Sequence, residues 1–213
     1  MKCKVCNNPT AKFLDTQLQK EYFACPHCEL IFLESVFIVP LEKEKAQYEN
    51  HHNSLENLGY VQMFENFIDF FVDRLTCKGF YCLDFGSGPT PVLSELLKRR
   101  GAIVDCYDKF YQTQKIFEGK KYDVITSTEV FEHLEDPLQT LSFLAEHLHE
   151  NGIIALMTLF HPNDTPLFLK WWYRRDPTHI TFYTPKTLEI LGKKCGLRVI
   201  KNDGKRVVIF QKE

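Results

Sequence analysis

Short apolar runs alternate along the second half of the chain with segments whose apolar residues recur every three or four positions. Four runs have the length and composition of buried parallel strands: 80–83, 103–107, 122–127 and 153–159. After the first of them, the apolar positions within 92–97 form one stripe, which predicts a helix that Gly101 ends. Strands that alternate with helices predict an α/β domain built around a parallel sheet.

The C-terminal part resumes this alternation after a long irregular segment. Residues 160–184 combine proline, aromatic and basic residues without periodicity, which predicts an insert over the mouth of the sheet. A helix over 186–195 follows, and then two strands over 197–201 and 206–211. The sequence Asn202-Asp203-Gly204 between these strands predicts the turn of a hairpin.

Thirteen residues, 109–121, separate Asp108 from the next predicted strand. A crossover to another parallel strand needs a connection of a dozen or more residues. Little room is therefore left for the strand and helix that usually stand at this place. The sequence predicts a doubly wound sheet whose third unit is shortened.

A glycine turn follows the first predicted strand and is the first candidate for a binding site. The strand ends on Asp84, and Gly86-Ser87-Gly88 then provide the backbone freedom for a turn that approaches a ligand closely. The second predicted strand leads to Asp108, an acid placed to accept hydrogen bonds from ribose hydroxyls. A dinucleotide motif fails because Pro91 stands at its third glycine, and a phosphate loop fails because no Gly-Lys-Ser/Thr follows.

Two C-x2-C pairs lie near the N-terminus, separated by eighteen residues. They consist of Cys3, Cys6, Cys25 and Cys28. Four thiolates at this spacing are typical of one structural zinc ion in a tetrahedral site, which predicts a small zinc ribbon. A segment of this size has little core of its own, so metal binding and folding should be coupled. The other four cysteines are scattered and are interpreted as buried small hydrophobic residues.

The amino-acid composition and net charge limit the classes of partner that the chain is expected to bind. The chain has 213 residues, 44% of them hydrophobic and 25% charged, with a net charge of −2. This balance argues against broad, charge-driven binding to nucleic acid or to an anionic membrane. No apolar run approaches the roughly 20 residues of a membrane helix, and the first residues lack an apolar signal core. We therefore expect a cytoplasmic protein without a membrane partner.

Four segments together resemble class I S-adenosylmethionine-dependent methyltransferases. They are LDFGSGPTP, Asp108, YDVITSTEVFEHLEDP and DPTHITFYTPKTLEILGKKCGL. The similarity is to the branch of the ubiquinone-pathway O-methyltransferases, and to small bacterial members with an N-terminal zinc ribbon. The resemblance implies a Rossmann-like sheet of seven strands. The domains expected are a zinc ribbon over 1–36, a helical lid over 37–78 and a methyltransferase domain over 79–213.

The resemblance also implies which residues bind S-adenosylmethionine. Asp84, Gly86, Ser87 and Gly88 would form or shape the site of the methionine end, and Asp108 would bind the ribose. The floor beyond the fourth strand of the family would consist of Ser127, Thr128 and Glu129. The acid that usually meets adenine falls in the shortened segment, so Phe110 or Tyr111 would hold the adenine. His51 and Tyr60 would belong to the lid, although they can also be read as helix surface and caps.

The sequence says less about the identity of the methyl acceptor than about that of the cofactor. His179 lies in the insert and is the candidate for a general base or an acceptor-orienting residue, unless it simply bonds a neighbouring backbone carbonyl. His133 is interpreted as structural. The leading hypothesis is O-methylation of a small molecule. The alternatives are an RNA or protein methyltransferase that uses the ribbon for recognition, and a non-catalytic adapter; nucleic acid is not favoured because of the acidic net charge.

Overall fold

The computed structural model describes residues 1–49, 54–73 and 79–213. In chain order the strands are β1 (Ala11–Asp15), β2 (Lys20–Ala24), β3 (Ile31–Leu33), β4 (Tyr81–Phe85), β5 (Ile103–Tyr107), β6 (Tyr122–Thr128), β7 (Leu148–Met157), β8 (Thr181–Phe182), β9 (Leu197–Asn202) and β10 (Val207–Lys212). The α-helices are α1 (Leu41–Glu49), α2 (Leu58–Val72), α3 (Val92–Arg99), α4 (Pro137–Glu146), α5 (Thr165–Phe168) and α6 (Pro185–Lys194). Single turns of 3-10 helix cover Ser35–Phe37, Phe131–His133 and Trp172–Arg175.

The central sheet has the strand order β5-β4-β6-β7-β10-β9. Strand β4 pairs in parallel with β5 and β6, and β6 pairs in parallel with β7. Strand β10 runs antiparallel to both β7 and β9, and it forms with β9 the predicted hairpin. The parallel strands end at one edge of the sheet, where ligands bind in open α/β folds. The predicted Rossmann-like α/β architecture is confirmed.

The expected number of seven strands is wrong for the residues that the structure describes, where the central sheet has six. The missing strand is the one that would lie outside β5. Residues 109–121 form only turns and one isolated bridge, between Asp108 and Gln112, before β6 begins. Thirteen residues do not suffice for a crossover helix and a further strand. The predicted shortening of the third unit thus removes its strand.

Helices cover both faces of the central sheet. On one face, α2 and α3 bury an aromatic and leucine stripe against alternate strand residues such as Cys82 and Val124. On the other face, α4 and α6 pack against Leu83 and Ile125. Neighbouring strand residues point to opposite faces, so the inner strands β4, β6 and β7 are buried on both sides, whereas the edge strand β5 is only partly buried. The fold is therefore a helix–sheet–helix sandwich, as the continuous apolar runs of the strands indicate.

Local capping explains where two of these helices begin. The side chain of Asp136 accepts a hydrogen bond from the backbone of Gln139 at the start of α4. Thr184 and Thr187 form a reciprocal capping box at the start of α6. Helix α4 ends at Glu146, and Asn151-Gly152 lie inside β7. Because β7 begins at Leu148, the apolar run from 153 covers only its second half.

A second, smaller sheet joins the N-terminal segment to the insert. Its strand order is β1-β2-β3-β8, and all of its pairs are antiparallel. Strand β8 belongs to the insert, which otherwise consists of short helical turns. The insert is thus held on the N-terminal sheet, with its last residues leading into α6.

The predicted domain boundaries remain predictions, and residues 74–78, next to one of them, lie outside the described residues. Among the residues that the structure describes, no helix has both the length and the apolar character needed to cross a membrane. The cytoplasmic location also remains a prediction.

Candidate functional site

The two glycines of the turn after β4 have different surroundings. Both have positive φ, 86° at Gly86 and 68° at Gly88, a region that side chains disfavour. A Cβ atom on Gly86 would lie 2.2 Å from Cγ2 of Val130, so this glycine lets the turn pack on the segment after β6. A Cβ atom on Gly88 would meet nothing within 4 Å. The turn therefore packs tightly at its first glycine and faces open space at its second.

Asp108 fastens this turn to the end of β5. Its Oδ2 accepts a hydrogen bond of 2.9 Å from the backbone N–H of Gly88. Its Oδ1 accepts bonds from the backbone N–H groups of Phe110, at 2.8 Å, and Tyr111, at 3.1 Å. A carboxylate oxygen has two lone pairs, so Oδ2 retains the capacity to accept one further hydrogen bond. Asp108 both orders the loop and offers an acceptor beside Gly88.

Asp84 lies beneath the turn rather than on its surface. Its carboxylate is almost completely buried and accepts hydrogen bonds from the hydroxyls of Ser94, at 2.7 Å, and Thr126, at 3.1 Å. Burial raises the pKa of Asp84 to about 6, although the two hydroxyl donors oppose this effect. The residue shapes the turn from behind.

The end of β6 supplies polar atoms at the same edge of the sheet. Ser127 is buried and its hydroxyl has no hydrogen-bond partner among the described residues, and the same is true of the hydroxyl of Ser87. Thr128 ends the strand, and Glu129 follows with a φ of 53°. Buried polar groups normally have partners, so two unpaired hydroxyls at the end of β4 and β6 indicate a place for a polar ligand.

Helices α1 and α2 carry aromatic residues toward this edge. The ring of Tyr48 lies 5.8 Å from that of Phe110 and 5.1 Å from that of His133, measured between centroids. Burial raises the pKa of Tyr60, and the charges of Asp84 and Glu129 raise it further. Tyr60 therefore lies near both acids. His51, the other predicted lid residue, lies outside the described residues.

His179 is buried beside His133. Its Nδ1 is 2.8 Å from the backbone carbonyl oxygen of Tyr173, and its ring centroid is 4.8 Å from that of His133. One ring nitrogen thus bonds a nearby carbonyl, as the simpler interpretation expected. The predicted catalytic role of this residue stays a prediction.

The sequence did not single out Glu132 or Tyr173 as site residues. Glu132 is completely buried, and the hydroxyl of Tyr173 lies within hydrogen-bond distance of the carboxyl groups of both Glu132 and Glu129. Burial raises the pKa of Glu132 well above its usual value, and the charge of Glu129 adds to this effect. The available signal was the pair Glu132-His133 directly after a buried strand, because acids in such places rarely serve packing alone.

The four N-terminal cysteines lie together as their spacing predicts. The Sγ atoms of Cys3 and Cys28 are 3.4 Å apart, and so are those of Cys6 and Cys25. All four sulfur atoms lie within 4.8 Å of one another, and none is in a disulfide. Sulfurs around a tetrahedral zinc ion, with bonds of about 2.3 Å, would be about 3.8 Å apart. The cluster can therefore hold a metal ion.

A concavity of about 540 Å³ lies between the N-terminal segment, the insert and the β9–β10 turn. Its walls include Glu29 from the N-terminal segment, Trp172 from the insert and Lys205 from the β9–β10 turn. None of the predicted site residues lines it. The indole of Trp172 is 65% exposed there.

The sheet order, the glycine turn and the acid after β5 are typical of α/β domains that bind a nucleoside at the carboxyl edge of their strands. The methyltransferase domain family matches residues 50–202, and the chain belongs to this family. It is an S-adenosylmethionine-dependent methyltransferase.

One curated relative and two solved structures illustrate what the chain is similar to. Ubiquinone biosynthesis O-methyltransferase of Histophilus somni (strain 2336) is 30% identical over 81 residues, which are 36% of this chain and 34% of that protein. The chain therefore matches about a third of the length of this curated relative. Magnesium protoporphyrin IX methyltransferase from Synechocystis PCC 6803 superposes with a TM-score of 0.57 at 15% identity, over 81% of this chain and 94% of that chain. Mitomycin 7-O-methyltransferase superposes with a TM-score of 0.53 at 14% identity, over 73% of this chain and 55% of that chain. These two likenesses show the fold.

Proposed function

We propose that the protein methylates a hydroxyl group of a small molecule, with S-adenosylmethionine bound at the glycine turn. The observation that carries the cofactor site is the pairing of Gly88 with Asp108, which places an open backbone turn beside a carboxylate oxygen. The hydroxyl acceptor is supported by the partial relative, an O-methyltransferase of ubiquinone biosynthesis. The small net charge of −2 supports a small molecule over nucleic acid.

The residues at the carboxyl edge fit this cofactor. Oδ2 of Asp108 can accept a ribose hydroxyl in addition to the Gly88 N–H. The unpaired hydroxyls of Ser87 and Ser127 would bond polar atoms of the ligand, and Phe110 offers a ring for the adenine. Thr128 and Glu129 would form the floor, and Tyr60 would cover the turn from α2. Asp84 would favour the positively charged methionine end through its buried carboxylate.

S-adenosylmethionine, when bound, supplies an electrophilic methyl group on a sulfonium. The protein's main contribution to such a displacement is to hold donor and acceptor in line and to exclude water. The acceptor hydroxyl must also lose its proton. His179, Glu132 and Tyr173 lie together and would orient that hydroxyl and take part in the removal of its proton.

We also propose that Cys3, Cys6, Cys25 and Cys28 bind one structural zinc ion. The fit rests on four converging sulfur atoms, three of them buried. The backbone N–H of Cys28 lies 3.5 Å from Sγ of Cys25, and the side-chain amide of Asn8 lies 3.3 Å from Sγ of Cys6. N–H groups directed at sulfur are typical of thiolates that bind a metal.

Calorimetry with S-adenosylmethionine tests the cofactor site. The wild-type chain should bind one equivalent, and Asp108→Ala should weaken binding by about 10- to 100-fold, because a hydrogen bond to a charged group and the ordering of the turn are both lost. Asp105→Ala on the same strand is the matched control, since that carboxylate bonds Lys120 and Tyr122 away from the turn. Absence of binding to the wild type, or equal binding in Asp108→Ala, would contradict the assignment.

The acceptor class is tested with pairs of planar small molecules that carry either a hydroxyl or an amine at the same position. Release of S-adenosylhomocysteine is the measurement. We expect turnover with hydroxyl members and little with the amines. Turnover that requires RNA, with an affinity that falls steeply as salt rises, would contradict a small-molecule acceptor.

A further inference from the structure

Three side chains with metal-binding atoms converge at the edge of the sheet, apart from the cysteine cluster. Glu132 and His133 follow β6, and His179 comes from the insert 46 positions later in the sequence. One donor atom of each lies within 4.8 Å of the donor atoms of the other two. Nε2 of His133 is 4.0 Å from Oε1 of Glu132. An ion at the centre of such a group would be within a short side-chain adjustment of all three.

The two histidines are held in the tautomer that a metal ligand requires. Nδ1 of His133 lies 2.9 Å from the carbonyl oxygen of Thr178, and Nδ1 of His179 lies 2.8 Å from that of Tyr173. A carbonyl oxygen only accepts, so each Nδ1 must carry a proton, and Nε2 of a neutral ring then carries the lone pair. Backbone carbonyls that fix Nδ1–H in this way are common behind metal-bound histidines.

The carboxyl group of Glu132 is the oxygen ligand of this group. The side chain is completely buried, and Oε1 accepts a hydrogen bond from Tyr173. Its Oε2 has no hydrogen-bond partner among the described residues. A buried carboxylate is costly unless a cation or a full set of hydrogen bonds compensates it. A divalent cation bound by this carboxyl group and the two imidazoles would provide that compensation.

The cluster lies next to the glycine turn. The backbone N–H of Ile180 donates a hydrogen bond of 2.8 Å to the carbonyl oxygen of Glu132, which joins the insert to the segment after β6. Val130, two residues before Glu132, is the residue whose methyl group contacts Gly86. Any molecule held at Glu132, His133 and His179 is therefore a neighbour of a ligand held at the turn.

We propose that Glu132, His133 and His179 bind one divalent first-row transition-metal ion, and that this ion binds the oxygen of the methyl acceptor. The second part rests on the proposed function; the metal site does not. Two imidazoles and one carboxylate leave coordination positions open, and their mixed nitrogen and oxygen donors suit Mn²⁺, Fe²⁺, Co²⁺ or Zn²⁺.

The ion explains how a hydroxyl becomes a nucleophile at this place. A bound cation lowers the pKa of a hydroxyl that it coordinates, and the released proton passes to water. The oxygen then forms its bond to the methyl carbon while the carbon–sulfur bond breaks. The electron pair of that bond stays on sulfur, which leaves neutral S-adenosylhomocysteine. His179 acts in this scheme as a metal ligand instead of a general base.

Titration of the zinc-loaded full chain with Mn²⁺ tests the site, with free Mn²⁺ measured by electron paramagnetic resonance. Thiolates select zinc, so Mn²⁺ should leave the cysteine cluster undisturbed. We expect one Mn²⁺ per chain. His179→Ala and Glu132→Gln should each raise the Kd by at least the roughly 10- to 100-fold that the loss of an outer-sphere partner costs. His149→Ala, at an exposed histidine, is the matched control and should bind Mn²⁺ as the wild type does.

Glu132→Gln changes a buried group and can impair folding, so thermal unfolding provides a second measurement. Mn²⁺ should raise the Tm of the wild type and of His149→Ala but not that of His179→Ala, because only a ligand that binds the folded state stabilises it. No Mn²⁺ binding by the wild type, or equal binding in His179→Ala, overturns the metal site.

These measurements distinguish a failure of the metal site from a failure of the proposed function. Binding of S-adenosylmethionine without Mn²⁺ leaves the cofactor site standing and returns His179 to the role of a base. Binding of Mn²⁺ without any binding of S-adenosylmethionine supports the metal site and contradicts the cofactor site. Binding of both, with methyl transfer that is equally fast with and without Mn²⁺, overturns the role of the ion toward the acceptor.

Discussion

At the scale of single residues, the members of the glycine turn have different structural roles, although they look equivalent in the sequence. Gly86 and Gly88 were both predicted to shape a ligand site. Gly86 lies against Val130, whereas Gly88 faces open space and bonds Asp108. Asp84 was grouped with them, but its carboxylate is buried behind the turn. The spacing D-x-G-x-G shows that a turn is present, and the neighbours of each residue decide what that residue does.

The buried carboxylate of Asp84 predicts a pH dependence of stability. Burial raises its pKa from 3.8 to about 6. Its contribution to stability is therefore complete below pH 4 and is lost as the pH rises through 6, where the folded chain must hold a buried charge. The shift corresponds to roughly 3 kcal/mol as an order of magnitude.

Asp84→Asn removes this titration while it keeps the size of the side chain. The difference in free energy of unfolding between the wild type and Asp84→Asn should change in favour of the wild type as the pH falls from 7 to 4. Urea unfolding of the ligand-free chain at several pH values measures it. A difference that stays constant over this range would show that Asp84 does not titrate as its burial implies.

At the scale of elements, the insert shows what periodicity can and cannot reveal. The break at 160–184 was read correctly as a departure from regular structure. The two-residue strand β8 within it was missed, because so short a strand has no alternation to detect. The same segment buries Arg174, whose Nε lies 3.0 Å from Oδ2 of Asp15, the last residue of β1. An ion pair between residues this far apart in sequence has no local signal.

The buried pair predicts a large loss of stability in Arg174→Ala. Both side chains are almost fully buried, and removal of the guanidinium would leave the charge of Asp15 without its partner. We expect a loss of about 3–5 kcal/mol in the free energy of unfolding. Arg175→Ala, at the exposed neighbour, should change it by less than about 0.5 kcal/mol. Thermal and urea unfolding measure both variants, and similar losses in the two would contradict the role of the pair.

At the scale of the whole molecule, the cysteine cluster and the methyltransferase sheet share one core. Cys3, Cys25 and Cys28 belong to the same buried group as Leu188 and Leu191 of α6. The hydroxyl of Thr187 donates a hydrogen bond of 2.7 Å to the carbonyl oxygen of Cys28, and Thr184 bonds Glu29. The start of α6 is therefore attached to the second cysteine pair, and loss of metal there should reach the main domain.

Cys25→Ser should abolish metal binding at this cluster. In cobalt-substituted protein, the thiolate charge-transfer absorption should be lost, and this signal is blind to a site made of nitrogen and oxygen donors. Hydrogen exchange should also become faster at the start of α6. Cys106→Ser, at a half-buried cysteine outside the cluster, should retain both properties. A persistent thiolate band in Cys25→Ser would rule out the four-cysteine site.

Much of the fold was predictable because its parallel strands are buried on both faces and read as continuous apolar runs. The number of strands in the central sheet was only partly predictable. The short path from 109 to 121 indicated a reduced unit, but the family pattern still suggested seven strands. The cysteine cluster was predictable because its ligands come in local pairs. The group of Glu132, His133 and His179 was not, because its members come from two segments 46 positions apart, and the contacts that join them, such as the hydrogen bond from the N–H of Ile180 to the carbonyl oxygen of Glu132, have no local sequence signal.

The pairing of β3 with β8 also has a consequence for the order in which the chain is made. Its partners lie about 150 positions apart, so this contact is among the most non-local in the fold. During synthesis, residues 31–33 leave the ribosome long before 181–182 exist, and until then β3 is an open edge strand. Closing that edge also attaches the insert that carries Tyr173 and His179 to the N-terminal sheet. Strand β3 thus keeps one edge unpaired until a segment about 150 positions later has been made.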